Sequence, residues 1–342
     1  MTPRPSAKAT ERDEDTARRE RTAAPPAVFA RLYGGSGTQG PLGADDLAGL
    51  TLADDQMLWV DVQGDDDATF ERVREALGLP LPEFAGTSQP ALMDLGDCFA
   101  VRVVAVHPVN GHGYDGDVLD IHGGRNCLVT RHRGALPFLD ALREGQPPRA
   151  GLGVLSAESF AAVVLDGHLT TYFDAVSGFE AAVERLELEI FDDRHLGSLP
   201  ELRTLRRGAS RLRRMLSPHR AVYGVLSRPD FRPREGRDSA RHFGALDVRF
   251  ERAMDMVENC RDLVMGSFDL FSNQTALRTN ASMSVLTFAT VVLGVLAVVA
   301  GMLGMNFRAG FFEAAGGFWM AAVGLVVLGL MALLLGWWRR WF

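Results

Sequence analysis

Residues 2–26 contain no large apolar side chain, only mixed charge, proline and small residues. A segment that buries no apolar surface cannot offset the entropy of ordering, so a disordered tail is expected over 1–26. The same stretch lacks the apolar h-region of a signal peptide, and membrane insertion has to rely on a later segment. Lysine is nearly absent: Lys8 is the only one, and every other basic residue is arginine or histidine. The net charge of −7 argues against a nucleic-acid surface. Cysteine is scarce too. Cys98, Cys127 and Cys260 are odd in number, far apart and without a CxxC pair, which disfavours a disulfide framework and fits a reducing compartment. No Ser/His/Asp or Cys/His set has the context of a catalytic centre, so no enzyme is expected.

What is present falls into two styles. From Ala27 to about residue 150, short apolar runs bounded by glycine and proline read as strands: 27–33, 57–62, 98–106, 118–122 and 126–132. Helical runs at 66–79 and 136–145 alternate with them, giving an α/β domain over 27–150. Beyond Gly153 the spacing turns helical. Residues 156–193 lack proline and repeat Phe160, Val164, Leu169, Phe173, Val176, Phe179 and Val183 at helical intervals. A second helix is expected over 199–226, rich in arginine. A third starts near Ser239 and meets no breaker before the apolar C-terminal region. The long helices make a bundle and stalk over 151–283.

Val285–Leu303 and Gly317–Trp338 carry no charge, and each exceeds the roughly 18 residues that mark a spanning helix. They predict spans at 284–303 and 317–338, joined by an outer loop at 304–316, with a short tail at 339–342. Arg261, Arg278, Arg339 and Arg340 flank the outer ends, while the loop holds only Arg308 and Glu313 as charges. The positive-inside rule then puts both termini in the cytoplasm. On a helical wheel, Asn280, Met283, Thr287, Thr290, Gly294, Ala297 and Gly301 fall on one side of the first span. Val285, Phe288, Val292, Leu296, Val299 and Leu303 fall on the other. The small and hydroxyl stripe fits either a close helix–helix contact or a pore lining. Two spans cannot enclose a water path alone, so a pore requires a ring of subunits.

Gly304-Met305-Asn306 directly follows the first span, after the stretch RTNASMSVLTFATVVLGVLAVVAGMLGMNF (278–307), and tryptophan and arginine close the chain. In these features the chain resembles the CorA family of divalent metal-ion transporters, over about 155–342 in detail and over 27–150 in general layout. The resemblance implies a funnel-shaped homopentamer in a bacterial inner membrane, with an α/β cytoplasmic domain, a long-helix stalk and a two-helix transmembrane hairpin. It implies a selectivity filter of Gly304, Met305 and Asn306. It also implies a pore lined by the first span, with Asn280 as an inner polar ring and Met283 and Leu286 as an apolar constriction. The transported and regulatory ion would be Mg2+ or Co2+, or Zn2+ as in the family's ZntB-like zinc branch, with no prosthetic group. Asp269 matches a family position at which carboxylates sense magnesium between subunits. The family's partner aspartate aligns with Ala245 here, leaving Asp247 nearby. The loop FRAGFFEAAGGFW departs from the short acidic motif of magnesium-type members and lies closer to the zinc branch, as does the arginine-rich helix. A membrane-anchored sensor or scaffold without transport is the competing function. Uptake and efflux are not distinguished by residues.

Three further patterns carry weaker expectations. Gly35, Gly37 and Gly40, with Asp61 farther on, outline a dinucleotide fingerprint, but Pro41 and Gly43 leave no room for its helix, and a hairpin loop is expected. His107, His112, His122 and His132 match no zinc spacing. The arginines at 203–214 are expected to pair with acids such as those at 65–67 and 184–193.

Overall fold

The computed structural model describes residues 27–34, 37–42, 44–64, 66–78, 84, 88–109, 113–124, 126–144, 156–191, 198–228, 230–231, 237–303 and 317–338. The expected tail at 1–26, the loop 304–316 with Gly304, Met305 and Asn306, the closing residues 339–342 and His112 lie outside them. Two compact units are distinguished. One draws on Met1–Leu186 and Leu196–Met265, the other on Glu187–His195 and Gly266–Phe342.

The first unit is built on a seven-stranded sheet. Its strands are β1 (Ala27–Gly34), β2 (Gly37–Leu42), β3 (Gln56–Gln63), β4 (Ala91–Asp94), β5 (Cys98–Val109), β6 (Gly113–Gly124) and β7 (Cys127–His132), in the order β2-β1-β3-β7-β6-β5-β4. Every pair is antiparallel except β3 with β7. Helix α1 (Asp67–Leu77) packs Phe70 and Val73 onto Val60, Val62 and Val129. Asp66 caps it, accepting from the Ala68 amide, and Gly78 ends it with φ 59° in the left-handed region. On the opposite face Trp59 meets Phe160 of helix α3 (Ala157–Phe191) at 5.3 Å between rings. Covered on both sides, β3 is buried without alternation, and all but Asp61 of its buried residues are apolar.

Asp61 lies within that buried strand, and its charge is fully matched. Arg143, from helix α2 (Pro137–Arg143), donates through Nε at 2.6 Å, Thr130 donates at 2.5 Å, and His132 lies at 3.4 Å. Burial pushes the Asp61 carboxyl up. His132, Arg143 and Thr130 outweigh it and hold the group below the usual carboxylate range.

The expected second helix is interrupted. Helix α4 (Ser198–Leu216) gives way to a 3-10 turn at Ser217–His219, and α5 (Arg220–Leu226) follows. Pro218 lacks the amide an α-helix interior needs. Residues 37–42, expected as a loop, form strand β2 with Gly34 opposite Gly37, and only a four-residue 3-10 turn (Ala44–Leu47) follows, too short for the helix of a dinucleotide site. The arginines of α4 do find acids, though on other elements than expected: Arg211 pairs with Asp115 and Arg213 with Glu258.

One edge of β5 is open. Strand β4 covers only Phe99–Arg102, so among the described residues the backbone from Val103 onward has no strand beside it on that side. Side chains take the strand's place. The Val104 amide donates to His219 Nε2 at 2.9 Å, and the Val104 carbonyl accepts from His168 Nε2 at 3.0 Å and from Tyr172 OH at 2.8 Å. The Val106 amide donates to Thr171 Oγ1 at 3.2 Å. These four residues, from α3 and the turn before α5, fasten the helices to the sheet by backbone recognition.

Candidate ion path

Helix α6 (Arg237–Leu303) runs for 67 residues and contributes to both units. Its portion Arg241–Leu303 is the one helix among the described residues long and apolar enough to cross a membrane, and no residue of its apolar window is fully buried. Helix α7 (Gly317–Trp338) follows, with Trp319–Ala332 as a shorter apolar stretch. In the second unit Ser267 Oγ donates to Glu187 Oε1 at 2.6 Å, tying the last turns of α3 to α6.

The two faces of the apolar part of α6 are used differently. Phe288, Val292, Leu296, Val299 and Leu303 are half-buried. Leu296 Cδ1 sits 3.5 Å from where a Cβ on Gly329 would be. Among the described side chains of α7 the half-buried or buried positions are Ala321, Ala322, Leu325, Gly329, Ala332 and Gly336. Bulky side chains of α6 thus meet a mostly small-residue face of α7, the packing that brings apolar helices close. The stripe of Asn280, Met283, Thr287, Thr290, Gly294, Ala297 and Gly301 is exposed throughout. Within the chain, the close helix contact therefore belongs to the bulky face. The small and hydroxyl stripe is left open.

That stripe extends farther than the sequence suggested. A shallow open groove is lined by Phe268, Phe271, Ser272, Thr275, Ala276, Thr279, Asn280 and Met283. Ser272, Thr275 and Thr279 had not been singled out, although their helical spacing from Met283 could have found them. Met283 and Leu286 are 61% and 68% exposed, so the candidate constriction is not closed by this chain alone. Asp269 is exposed, and among the described residues it forms no ion pair. Asp247 lies on α6 in the first unit and is half-buried.

Among the described residues no three His, Cys, Asp or Glu side chains gather to hold a metal. His107 lies 3.0 Å from Asp117, His122 lies against Phe70 and Phe84, and His132 serves Asp61. No disulfide joins the three buried cysteines.

The chain thus joins a sheet-and-helix unit to a helix long and apolar enough to cross a membrane, grooved by hydroxyl, amide and small side chains. The family model for the CorA-like Mg2+ transporter protein matches residues 54–342, and the chain belongs to that family. It is a divalent-cation transporter of the CorA type. The Cobalt/magnesium transport protein CorA of Thermotoga maritima is 24% identical over 240 residues, covering 69% of this chain and 67% of that protein. The Divalent cation transporter CmaX of Pseudomonas aeruginosa is 26% identical over 310 residues, covering 86% and 91%. Among solved structures, the CorA magnesium transporter from Methanocaldococcus jannaschii shares the fold with a TM-score of 0.68 at 17% identity, over 92% of this chain and 98% of that one.

Proposed function

We propose that the chain forms a homopentameric channel for hydrated Mg2+ or Co2+, with α6 lining the pore and α7 packed outside it. The observation that carries this reading is the division of faces on α6. Its bulky side is taken up by α7, and the hydroxyl, amide and small side is left for neighbouring copies and the ion. In this reading α6 and α7 are the two spans, both termini are cytoplasmic, and the domain limits are 27–150, 151–283, 284–303, 304–316 and 317–338. Gly304, Met305 and Asn306 form the outer filter, Met283 and Leu286 the apolar constriction, and Asn280 the inner polar ring. The similarity to the Cobalt/magnesium transport protein CorA of Thermotoga maritima supports those ions. Zinc is the second reading, favoured by the glycine-rich sequence of 307–319, which lacks an acidic motif.

Flux of Mg2+, Co2+, Ni2+ and Zn2+ into proteoliposomes, with and without a pH gradient, separates these readings. Mg2+ and Co2+ are expected to enter without the gradient. Zinc entry alone, driven by the gradient, would move the chain to the zinc reading. No flux of any ion would leave a membrane-anchored scaffold.

Asp269 is proposed to bind a divalent ion between subunits and hold the pore closed, with Asp247 standing near the missing second carboxylate. Such an ion must bind the closed state better than the open one. Asp269→Asn is expected to raise flux severalfold when the vesicle interior on the stalk side is loaded with millimolar Mg2+. Equal inhibition of wild type and variant by that internal Mg2+ would make the residue structural.

A further inference from the structure

Cys98, Gly124 and Cys127 form one row across three strands. Cys98 of β5 stands opposite Gly124 of β6, and Gly124 stands opposite Cys127 of β7. Residues directly opposite on neighbouring strands point to the same face. Both thiols therefore stand over the face that carries α1, with a glycine between them where any other residue would put a side chain. The notch is in use. Cys98 Sγ lies 2.5 Å from where a Cβ on Gly124 would be, so this sulfur leans over the middle strand. Burial pushes the Cys127 thiol up to about 12, and Cys98 adds to the rise from across the notch. His122 shares the face, two residues along β6 from Gly124. It is 2% exposed, and its Nδ1 has no hydrogen-bond partner among the described residues. Cys98 keeps 8% of its surface exposed, which leaves an approach from solvent at the start of β5.

A disulfide does not fit this row. Two strand steps of about 4.8 Å each put the Cα atoms roughly 9.6 Å apart, beyond the limit of about 7 Å for a bridge. We infer that Cys98 and Cys127 bind one soft monovalent cation of the copper(I) class between their sulfurs, above Gly124. A metal ion spans what a sulfur–sulfur bond cannot, since two metal–sulfur bonds of roughly 2.3 Å set the sulfurs about 4.5 Å apart. The ligand count chooses the ion. Among the described residues no third His, Cys, Asp or Glu gathers with the two thiols. Structural zinc takes four ligands, and hard divalent ions take about six oxygens or more. Copper(I) is drawn to thiolates and is satisfied by two of them. Buried polar atoms without a partner are few in native proteins, and the His122 Nδ1 marks this face as unfinished without an occupant. Binding exchanges both S–H bonds for S–metal bonds and releases two protons, with no change in the oxidation state of the ion. The product carries one negative charge. Arg102 and Arg131, on the same face and close enough to act on His122, offset it in part. The inference stands apart from the pore reading, because all of these residues lie in the first unit.

The test uses the full chain in detergent without oxygen, titrated with copper(I) against a chromogenic copper(I) chelator, and with silver(I) as a redox-inert replacement. One tightly held ion per chain is expected, with two thiolate sulfurs as neighbours by X-ray absorption. Affinity should rise with pH, because protons leave as the ion enters. Cys98→Ser and Cys127→Ser should each weaken binding at least about a hundredfold, since losing a ligand costs more than losing the groups that orient it. Cys260→Ser should bind as the wild type does. Melting of the ion-free variants serves as the folding control, and X-ray absorption of the loaded wild type decides where a serine variant does not fold. No ion retained against the chelator, fewer than two sulfurs around it, or wild-type affinity in a folded Cys98→Ser or Cys127→Ser would overturn the inference. Loss of the ion in a folded Cys260→Ser would overturn it too, by moving the site to the third thiol.

Discussion

Asn306→Ala is expected to reduce metal flux at least about a hundredfold while leaving insertion and oligomer size unchanged. In the proposed pore, Asn306 stands at the outer end of α6, where the loop supplies only Arg308 and Glu313 as charges. Attraction at the mouth then falls to its amide oxygen and to neighbouring backbone carbonyls. An amide oxygen can accept from the water of a hydrated ion without stripping it, and magnesium is costly to strip. Alanine removes that acceptor from every subunit at once, so the loss multiplies around the ring. The substitution is small, so folding should survive. Flux measured at equal membrane expression decides the matter, and an unchanged rate would end the filter assignment.

The second large effect is a loss of stability in mild acid, centred on His168 and His219. Both are fully buried, and their rings lie 4.8 Å apart. Their bonds require the neutral state. The Val104 amide points its hydrogen at His219 Nε2, so that nitrogen must carry a lone pair, and Nδ1–H donates to the Leu216 carbonyl at 3.1 Å. His168 Nε2–H donates to the Val104 carbonyl, which leaves Nδ1 to accept from Tyr223 OH at 2.9 Å. Tyr172 faces the same pair of rings, and Asp166 and Arg249 act on Tyr223 from behind. Desolvation by burial lowers His219 to about 4, and it holds His168 well below the usual histidine value, helped by the neighbouring His219. A histidine lowered in the folded state contributes stability that is present above its unfolded value near 6.5. That contribution is lost as pH falls toward 4. For His219 the span corresponds to roughly 3 kcal/mol. Melting temperature followed by circular dichroism should therefore fall steadily between pH 7 and 4.5. His219→Gln keeps an acceptor for the Val104 amide and cannot charge, so its slope should be shallower. His122, lowered to about 4 by burial, contributes alike to both proteins and does not blur the difference. Equal slopes would show that the pair does not titrate with unfolding.

Local pattern made most of the fold legible. Strands β3, β5 and β7 are apolar runs between turn residues, of β6 only 118–122 reads so while its first half of Gly, Tyr and Asp does not, and α3 and α6 carry unbroken helical spacing over many turns. What escaped depended on partners. Gly37–Leu42 has the composition of a loop and is a strand only because β1 lies beside it. Ala91–Asp94 is four residues long, too short to show a period. Pro218 was visible, yet the helical spacing on either side of it hid the break. At the candidate site, the wheel separated the two faces of α6 from sequence alone. It could not say which face α7 would take, because a small-residue stripe suits a helix contact as well as a pore. The small residues of α7 settle the contact inside the chain. His168, Thr171, Tyr172 and His219 gave no signal, since their roles depend on an open strand edge that exists only in three dimensions.

That edge also governs how the sequence is free to drift. The four fastening residues bind the backbone of Val104 and Val106, not their side chains. Strand β5 can therefore exchange one side chain for another at these two places, within the limits of packing, and keep every bond. His168 and His219 have no such latitude, because few side chains offer a donor on one atom and an acceptor on the next at that reach. Between homologous proteins the burden of change should fall unevenly across this joint, with the helix side fixed and the strand side variable.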